Sequence, residues 1–331
     1  MFSSLPMPFS ISLPFFAACS LVVALALPAS ADNLRGWGYL VDRLVLDGEA
    51  RAEVERIFTD PRMPPFDKLE FAPERRPEPT SLYRGFLKPA SVAQARACWY
   101  RHLSEFQRAQ RDTGVPGALL AALLHVESRC GANTGNHRIL YRVARLAMAP
   151  APENFRWNLA RWLDGSETSP ARLHEQLTGR ARYLEETFYP EVRATLELAR
   201  RWRVDPHELR GSSGGAIGWP QFLPSSVLRF GRDGSGDGFV DLTNSADAIL
   251  SAAEYLRAHG WRRDLERPQR RQVLWNYNRS FAYVDTLLTL QSRLESGSEV
   301  SGTQQRTATG KRATRNGKRL GENPRAQHTR K

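Results

Sequence analysis

The chain has 331 residues, one quarter of them charged, and a formal net charge of +12. That charge does not describe the body of the protein, because nine Lys/Arg against one acid, Glu322, fall between Val300 and Lys331. The excess therefore excludes reading the whole chain as a basic nucleic-acid binder, and no Cys/His spacing suggests a metal centre of the zinc type.

Residues 1–31 read as a signal peptide: an apolar run from Ile11 to Leu27 precedes Ala29-Ser-Ala31, a small-x-small cleavage site. Its opening carries no Lys or Arg. A lipid anchor on Cys19 is the lesser alternative, since Phe16-Ala-Ala is a poor lipobox and apolar sequence continues beyond it. No later stretch has the roughly 20 apolar residues of a membrane helix. The expectation is an exported, periplasmic protein, soluble or loosely associated with the envelope.

Residues 32–90 form a proline-rich segment with Pro61, Pro64, Pro65, Pro73, Pro77 and Pro79, expected as one short helix plus irregular chain. Residues 91–295 carry helical periodicity and read as a mostly α domain large enough to bury a core. Ser91 to Gly114 places Val92, Ala95, Trp99, Leu103 and Phe106 at helical spacing, with Ser91 as N-cap and Gly114 as stop. The next helix opens at Pro116 and closes at Gly131. Inside it Leu120, Leu123, Leu124 and Glu127 fall at i, i+3, i+4 and i+7, so a carboxylate shares the apolar stripe. Lost hydration and the negative end of the helix both favour its protonated form, as a general acid requires. A Glu that reaches solvent or pairs with Arg129 or His125 is the competing reading. Cys98 and Cys130 remain after cleavage; in an oxidising compartment they can pair, or stay as two buried thiols.

Asn154 to Trp202 is helical with charged faces, interrupted at Asp164–Pro170. The glycine-dense loop Gly211-Ser-Ser-Gly-Gly-Ala-Ile-Gly218 follows and leads into Trp219-Pro-Gln-Phe222. Small residues beside Ser212 let backbone approach a ligand, while Trp219, Gln221 and Phe222 offer stacking faces and an amide, a combination suited to a sugar. Asp233-Gly-Ser-Gly-Asp-Gly-Phe-Val-Asp-Leu-Thr-Asn244 sets Asp233, Ser235, Asp237, the Phe239 carbonyl, Asp241 and Asn244 at the donor positions of a 12-residue calcium loop. Asn244 stands where a bidentate Glu belongs, so weak structural calcium is expected; no cofactor for catalysis is. Ser245 is expected to cap a helix through His259. Tyr277-Asn278 precedes a last helix from Phe281 to Leu294 and can hydrogen-bond a substrate. There is no internal repeat and no convincing alternating strand. Residues 296–331 are a basic tail too polar to fold, attractive to an anionic wall or membrane surface, with no nucleic acid expected for an exported chain.

Taken in order, Val126-Glu-Ser-Arg-Cys-Gly131, Asn133-Thr-Gly-Asn-His-Arg138, Gly211 to Ser226, Asp233 to Gly238, Asn244 to Ile249, His259-Gly-Trp261 and Tyr277-Asn-Arg-Ser280 resemble the lytic murein transglycosylase B family over roughly Ser91 to Leu294. The resemblance implies a mostly α fold: a lysozyme-like helical catalytic core, an added helical subdomain and an EF-hand-like loop. It also implies Glu127 as the catalytic acid/base, and Ser212, Gln221, Tyr277, Asn278 and Arg138 as binders of peptidoglycan glycan strands. The activity implied is non-hydrolytic cleavage of the MurNAc-β-1,4-GlcNAc bond to a 1,6-anhydro end. Departures from the family pattern are His125, Cys130, Ser213 and Gly214 near the centre, and a longer, poorly matching stretch from about Ala149 to Glu186. A hydrolytic muramidase and a non-catalytic wall-binding protein are the alternatives. Hydrolysis would call for a second carboxylate, and Glu185, Glu186 or another acid could supply it.

Overall fold

The computed structural model describes residues 33–74, 77–164 and 167–296; the segment expected as a signal peptide and the expected tail from residue 297 onward lie outside the described residues. The described chain is mostly helical. The proline-rich segment holds two helices rather than one, α1 (Gly38–Leu46) and α2 (Arg51–Thr59), then two single 3₁₀ turns, Thr80–Leu82 and Arg84–Leu87. There follow α3 (Pro89–Arg101), α4 (Leu103–Thr113), α5 (Gly117–Ser128), α6 (Ile139–Ala147), α7 (Pro152–Leu163), α8 (Pro170–Trp202), α9 (Pro224–Phe230), α10 (Ser245–Ala258) and α11 (Arg267–Tyr277). A twelfth helix, α12, runs over 281–296.

Several expected boundaries move for local reasons. The single helix expected from Ser91 to Gly114 is broken at His102, whose φ of −116° and ψ of 35° separate α3 from α4. Its cap is not Ser91: Pro89 occupies the first turn, where a missing N–H costs nothing. Ser91 is buried instead, its hydroxyl 2.8 Å from His125 Nε2. Gly114 does end α4, in the left-handed conformation. The cap of α10 is Asn244 rather than Ser245, its side-chain oxygen accepting the Ala246 N–H at 2.8 Å. A two-stranded antiparallel ladder, unforeseen from the sequence, pairs β1 (His137–Arg138) with β2 (Arg210–Gly211). At two residues per strand no alternation could have announced it.

Three apolar clusters organise the helices. The first joins α1, α2, α6, α9 and the latter part of α8. The second holds α3, α4, α5, α10, α11 and α12. The third packs Leu69, Phe71 and Ala149 against Leu173, Leu177 and Leu184 at the start of α8. At 33 residues α8 is about 50 Å long, which lets it serve two clusters. Irregular chain before α3 is satisfied by side chains rather than by a ladder: Asn154 and Asn158, both buried, accept the Leu69 and Phe71 N–H groups at 2.7 and 3.1 Å. Glu191 on α8 takes the Ser225 N–H and hydroxyl at 2.9 and 2.6 Å, fixing the start of α9 behind the glycine loop. Tyr255 and Tyr277 pack against both the first and the second cluster, so these rings mark the seam between them.

Candidate active site

Helix α5 is buried from Gly117 through His125, as a helix apolar all round must be. Only its last turn opens, at Val126 and Glu127. There the chain leaves sharply, with Arg129, Cys130 and Gly131 in succession at φ 52°, 55° and 81°. Two ties hold this turn. Cys130 is disulfide-bonded to Cys98 on α3 across a Cα separation of 6.5 Å, which settles the pairing left open by the sequence. Ser128 Oγ donates to the Trp219 carbonyl at 2.8 Å and accepts the Gly131 N–H at 2.9 Å. Gly131 has no alternative: a Cβ there would lie 1.9 Å from Trp219 Nε1.

Glu127 faces a cage of phenols. Tyr283 on α12 donates to its Oε1 at 2.5 Å. The Tyr277 ring lies nearly parallel to that of Tyr283, 6.4 Å away, and its hydroxyl donates to the Pro220 carbonyl at 2.5 Å. The Tyr83 ring meets Tyr283 edge-on at 5.8 Å. Asn278 Nδ2 donates to the Tyr83 hydroxyl at 3.4 Å, and that hydroxyl donates to Glu78 Oε2 at 2.5 Å. Part of Glu127 stays open to solvent, yet burial of its carboxyl pushes its pKa up to about 7. The Tyr283 hydrogen bond acts against that rise, and the charge of Glu78 adds to it. Burial first, then the charge of Glu127, holds the Tyr277 and Tyr283 phenols well above their usual range, so both remain donors.

The structure brings Glu127, Tyr277, Asn278 and the Trp219–Gln221 segment into one network and sets Arg138 on the β1–β2 ladder with Ser212 just past its end. Arg138 pairs with Arg210, and His137 with Gly211 next to Ser212. A Cβ on Gly135 would stand 2.6 Å from the Ser212 Cα, so the 133–138 loop packs directly on the glycine loop. Ser212 Oγ accepts the Ala216 N–H at 3.1 Å, which leaves its hydroxyl hydrogen to donate. Arg138 Nε is buried without a partner among the described residues. Gln221, itself at φ 51°, donates through its amide nitrogen to Gly218 O at 2.8 Å.

Phe222 departs from expectation. Its side chain is buried in the first cluster between Tyr255 and Tyr277, and it presents no stacking face. Glu185 is held by Tyr39 at 2.5 Å and by Arg43, away from the cage. Sequence reasoning missed Tyr283, Tyr83 and Glu78. Tyr283 falls six residues after Tyr277 and could have been weighed with it; Tyr83 and Glu78 lie in the proline-rich segment expected to be largely irregular chain.

The loop from Asp233 to Asn244 closes on itself. Asp233 accepts the Gly236 and Gly238 N–H groups at 2.5 and 2.7 Å, and Asp237 that of Phe239 at 2.9 Å. Asp241 turns to the N–H and hydroxyl of Thr243, and Asn244 to Ala246. Ser235 donates to Asp233 at 3.1 Å, while the Phe239 side chain packs on Trp202. Among the described residues no three His, Cys, Asp or Glu side chains gather as a group that could hold a metal ion. Asp247, not anticipated, closes the loop: fully buried, it accepts the N–H groups of Gly234, Ser235 and Asp241 at 2.9, 2.9 and 2.8 Å.

The family model described as the transglycosylase SLT domain matches residues 39–318. Membrane-bound lytic murein transglycosylase B of Escherichia coli is 33% identical over 176 residues, 53% of this chain and 40% of the relative, so the match spans less than half of that relative's length. Among solved structures, the soluble lytic transglycosylase SltB1 of Pseudomonas aeruginosa superposes with a TM-score of 0.59 at 20% identity, covering 80% of this chain and 99% of that one. The E. coli lytic transglycosylase SLT35 in complex with calcium gives 0.58 at 21% identity over 81% and 95%. The helical architecture is thus that of the lytic transglycosylases, and the chain belongs to the transglycosylase SLT domain family.

Proposed function

We propose that the protein is a peptidoglycan lytic transglycosylase in which Glu127 serves first as acid and then as base. The observation that carries this reading is the phenol-caged carboxyl of Glu127, raised to a pKa of about 7 by burial, which keeps a proton available near neutral pH. Its proton passes to the oxygen linking N-acetylmuramic acid to N-acetylglucosamine as the C1–O bond breaks. The free hydroxyl hydrogen of Ser212 and the side chains of Asn278 and Gln221 suit the N-acetyl and hydroxyl groups of the sugars. The muramoyl C6 oxygen then bonds to C1, its proton returns to Glu127, and a 1,6-anhydro ring results with no water consumed. An internal nucleophile has an effective molarity on the order of 10⁵ M or more when well oriented, which makes a second carboxylate dispensable.

Hydrolysis would need that second carboxylate free at the bond. The acid whose charge reaches Glu127 is Glu78, and its Oε2 is already taken by Tyr83; this favours the transglycosylase. Among the described residues no helix is long and apolar enough to cross a membrane, and the disulfide fits an oxidising, periplasmic location. The basic residues beyond 300 supply attraction to anionic wall or membrane surfaces and no part of the chemistry. Calcium at the 233–244 loop would meet the neutral amide of Asn244 where a bidentate carboxylate is usual, so its binding is weak.

Mass spectrometry of soluble products from purified mature protein and peptidoglycan, beside Glu127→Gln, tests the proposal. Anhydro-muropeptides that vanish with the variant are expected. Reducing-end products would make the protein a muramidase, and wall binding without products a binding module. Deletion of residues 300–331 leaves the product pattern unchanged.

A further inference from the structure

Glu78 stands in irregular chain just ahead of the Thr80–Leu82 turn, a place that ordinarily carries no chemistry. Its surroundings are specific. Tyr83 is only 6% exposed, so its hydroxyl must find its partners within the protein. It donates to Glu78 Oε2 at 2.5 Å and accepts from Asn278 Nδ2 at 3.4 Å. The same ring stands edge-on to Tyr283, 5.8 Å between centroids and 75° between planes, and Tyr283 bonds Glu127 at 2.5 Å. One carboxylate is thus linked to the other through two phenols, with Asn278 pinned on the way.

We propose that Glu78, acting through Tyr83, is a positioning residue for Glu127, fixing the wall of phenol and amide against which the catalytic carboxyl is set. The inference rests on the reading of Glu127 as the acid. Burial, followed by the bond to Glu78, pushes the Tyr83 phenol above its usual range, so the proton stays on Tyr83 and the bond keeps one direction. The Glu78 carboxylate also favours the protonated form of Glu127. Other titratable or charged groups around that carboxyl are Tyr277 on α11, Tyr283 on α12, and His125 and Arg129 on or just beyond α5. Burial and then the Arg129 charge hold the His125 ring down at about 4, leaving it neutral near pH 7.

Glu78→Gln keeps an acceptor for Tyr83 and removes the charge; Tyr83→Phe keeps the charge and removes the tie. The decisive readout is the titration of Glu127 itself, followed by carbon-13 NMR of glutamate carboxyl-labelled protein and assigned with Glu127→Gln. In Glu78→Gln the midpoint moves to lower pH, and the alkaline limb of the rate on peptidoglycan moves with it. Tyr83→Phe lowers kcat about tenfold, the scale of a hydrogen bond to a charged group. Wild-type kcat in Tyr83→Phe overturns the proposal. So does abolished turnover in Glu78→Gln with the Glu127 midpoint in place, because Glu78 would then act on substrate directly. Should Glu78→Gln fail to fold, Glu78→Asp takes its place: a shortened side chain that still ionises must weaken the Tyr83 tie and lower kcat as Tyr83→Phe does, and wild-type kcat overturns the proposal. Wild-type protein that yields no glycan products would remove the proposed reaction, while the NMR titration would still decide the role of Glu78.

Discussion

The hydroxyl of Tyr283 reaches Oε1 of Glu127 at 2.5 Å across 156 residues of sequence, and this one bond joins the first turn of α12 to the last turn of α5. It stabilises the ionised carboxyl, against the effect of burial. Tyr283→Phe therefore lowers kcat about tenfold, the scale of a hydrogen bond to a charged group, and moves the alkaline limb of the pH–rate profile upward. Glu78→Gln moves the same limb the other way, so profiles of the two variants measured side by side separate the two influences.

Glu127 also costs stability. Its folded pKa of about 7 exceeds the ordinary value of 4.5, so between those values the folded state binds more protons than the unfolded one and stability falls as pH rises. Below the lower value the penalty is absent; above pH ~7 it is complete. Because the residue is part-open to solvent, the shift is discounted to about 1–3 kcal/mol. Denaturant melts should find Glu127→Gln more stable than wild type by that amount near pH ~8 and equal to it near pH ~4.

The Cys98–Cys130 bond closes a loop spanning 32 residues of sequence that contains α4 and α5. Loop-closure entropy puts its worth at about 3–4 kcal/mol. The double variant Cys98→Ser/Cys130→Ser should unfold at lower denaturant by the equivalent of that figure, and reduced wild type should coincide with it.

Gly131→Ala meets both a left-handed φ of 81° and the Trp219 indole 1.9 Å from the new carbon. A loss of about 2–4 kcal/mol is expected, with a changed near-ultraviolet circular dichroism from Trp219. Retention of both the wild-type spectrum and stability would show that the turn after α5 adapts.

For the loop from Asp233 to Asn244, Asp247→Ala leaves three backbone N–H groups without their acceptor and should cost about 3 kcal/mol or more. Millimolar calcium, by contrast, should raise the wild-type melting temperature only slightly. A large calcium-dependent rise would mean that the cation reorganises the loop.

Much of this was readable from sequence where local rules govern. The period of the α5 stripe placed Glu127 on a buried face, and Gly114 announced the end of α4 through its left-handed φ. What sequence could not supply came from contacts between distant segments. Phe222 reads as a ligand platform beside Trp219 and Gln221, but the packing of Tyr255 and Tyr277 turns it inward. Tyr83 and Glu78 carry no periodic signal, and their importance arises only because irregular chain crosses to meet α12. Ser91 has the composition of a cap and serves as the partner of a buried histidine instead. Asp247 hides within a helix whose pattern gives no hint that it closes the preceding loop.

The third apolar cluster has a broader consequence. It gathers Ala149, Leu173, Leu177, Ala181 and Leu184 with Leu69 and Phe71, the first five from the stretch that reads in the sequence as a poor match to the family pattern. None of its members belongs to α5, α11 or α12, the helices that carry Glu127, Tyr277 and Tyr283. Substitutions that keep this cluster apolar are expected to leave kcat unchanged, since they lie apart from the caged carboxyl. The fold thus separates the acid helix and its phenols from a flank that packs around its own apolar cluster.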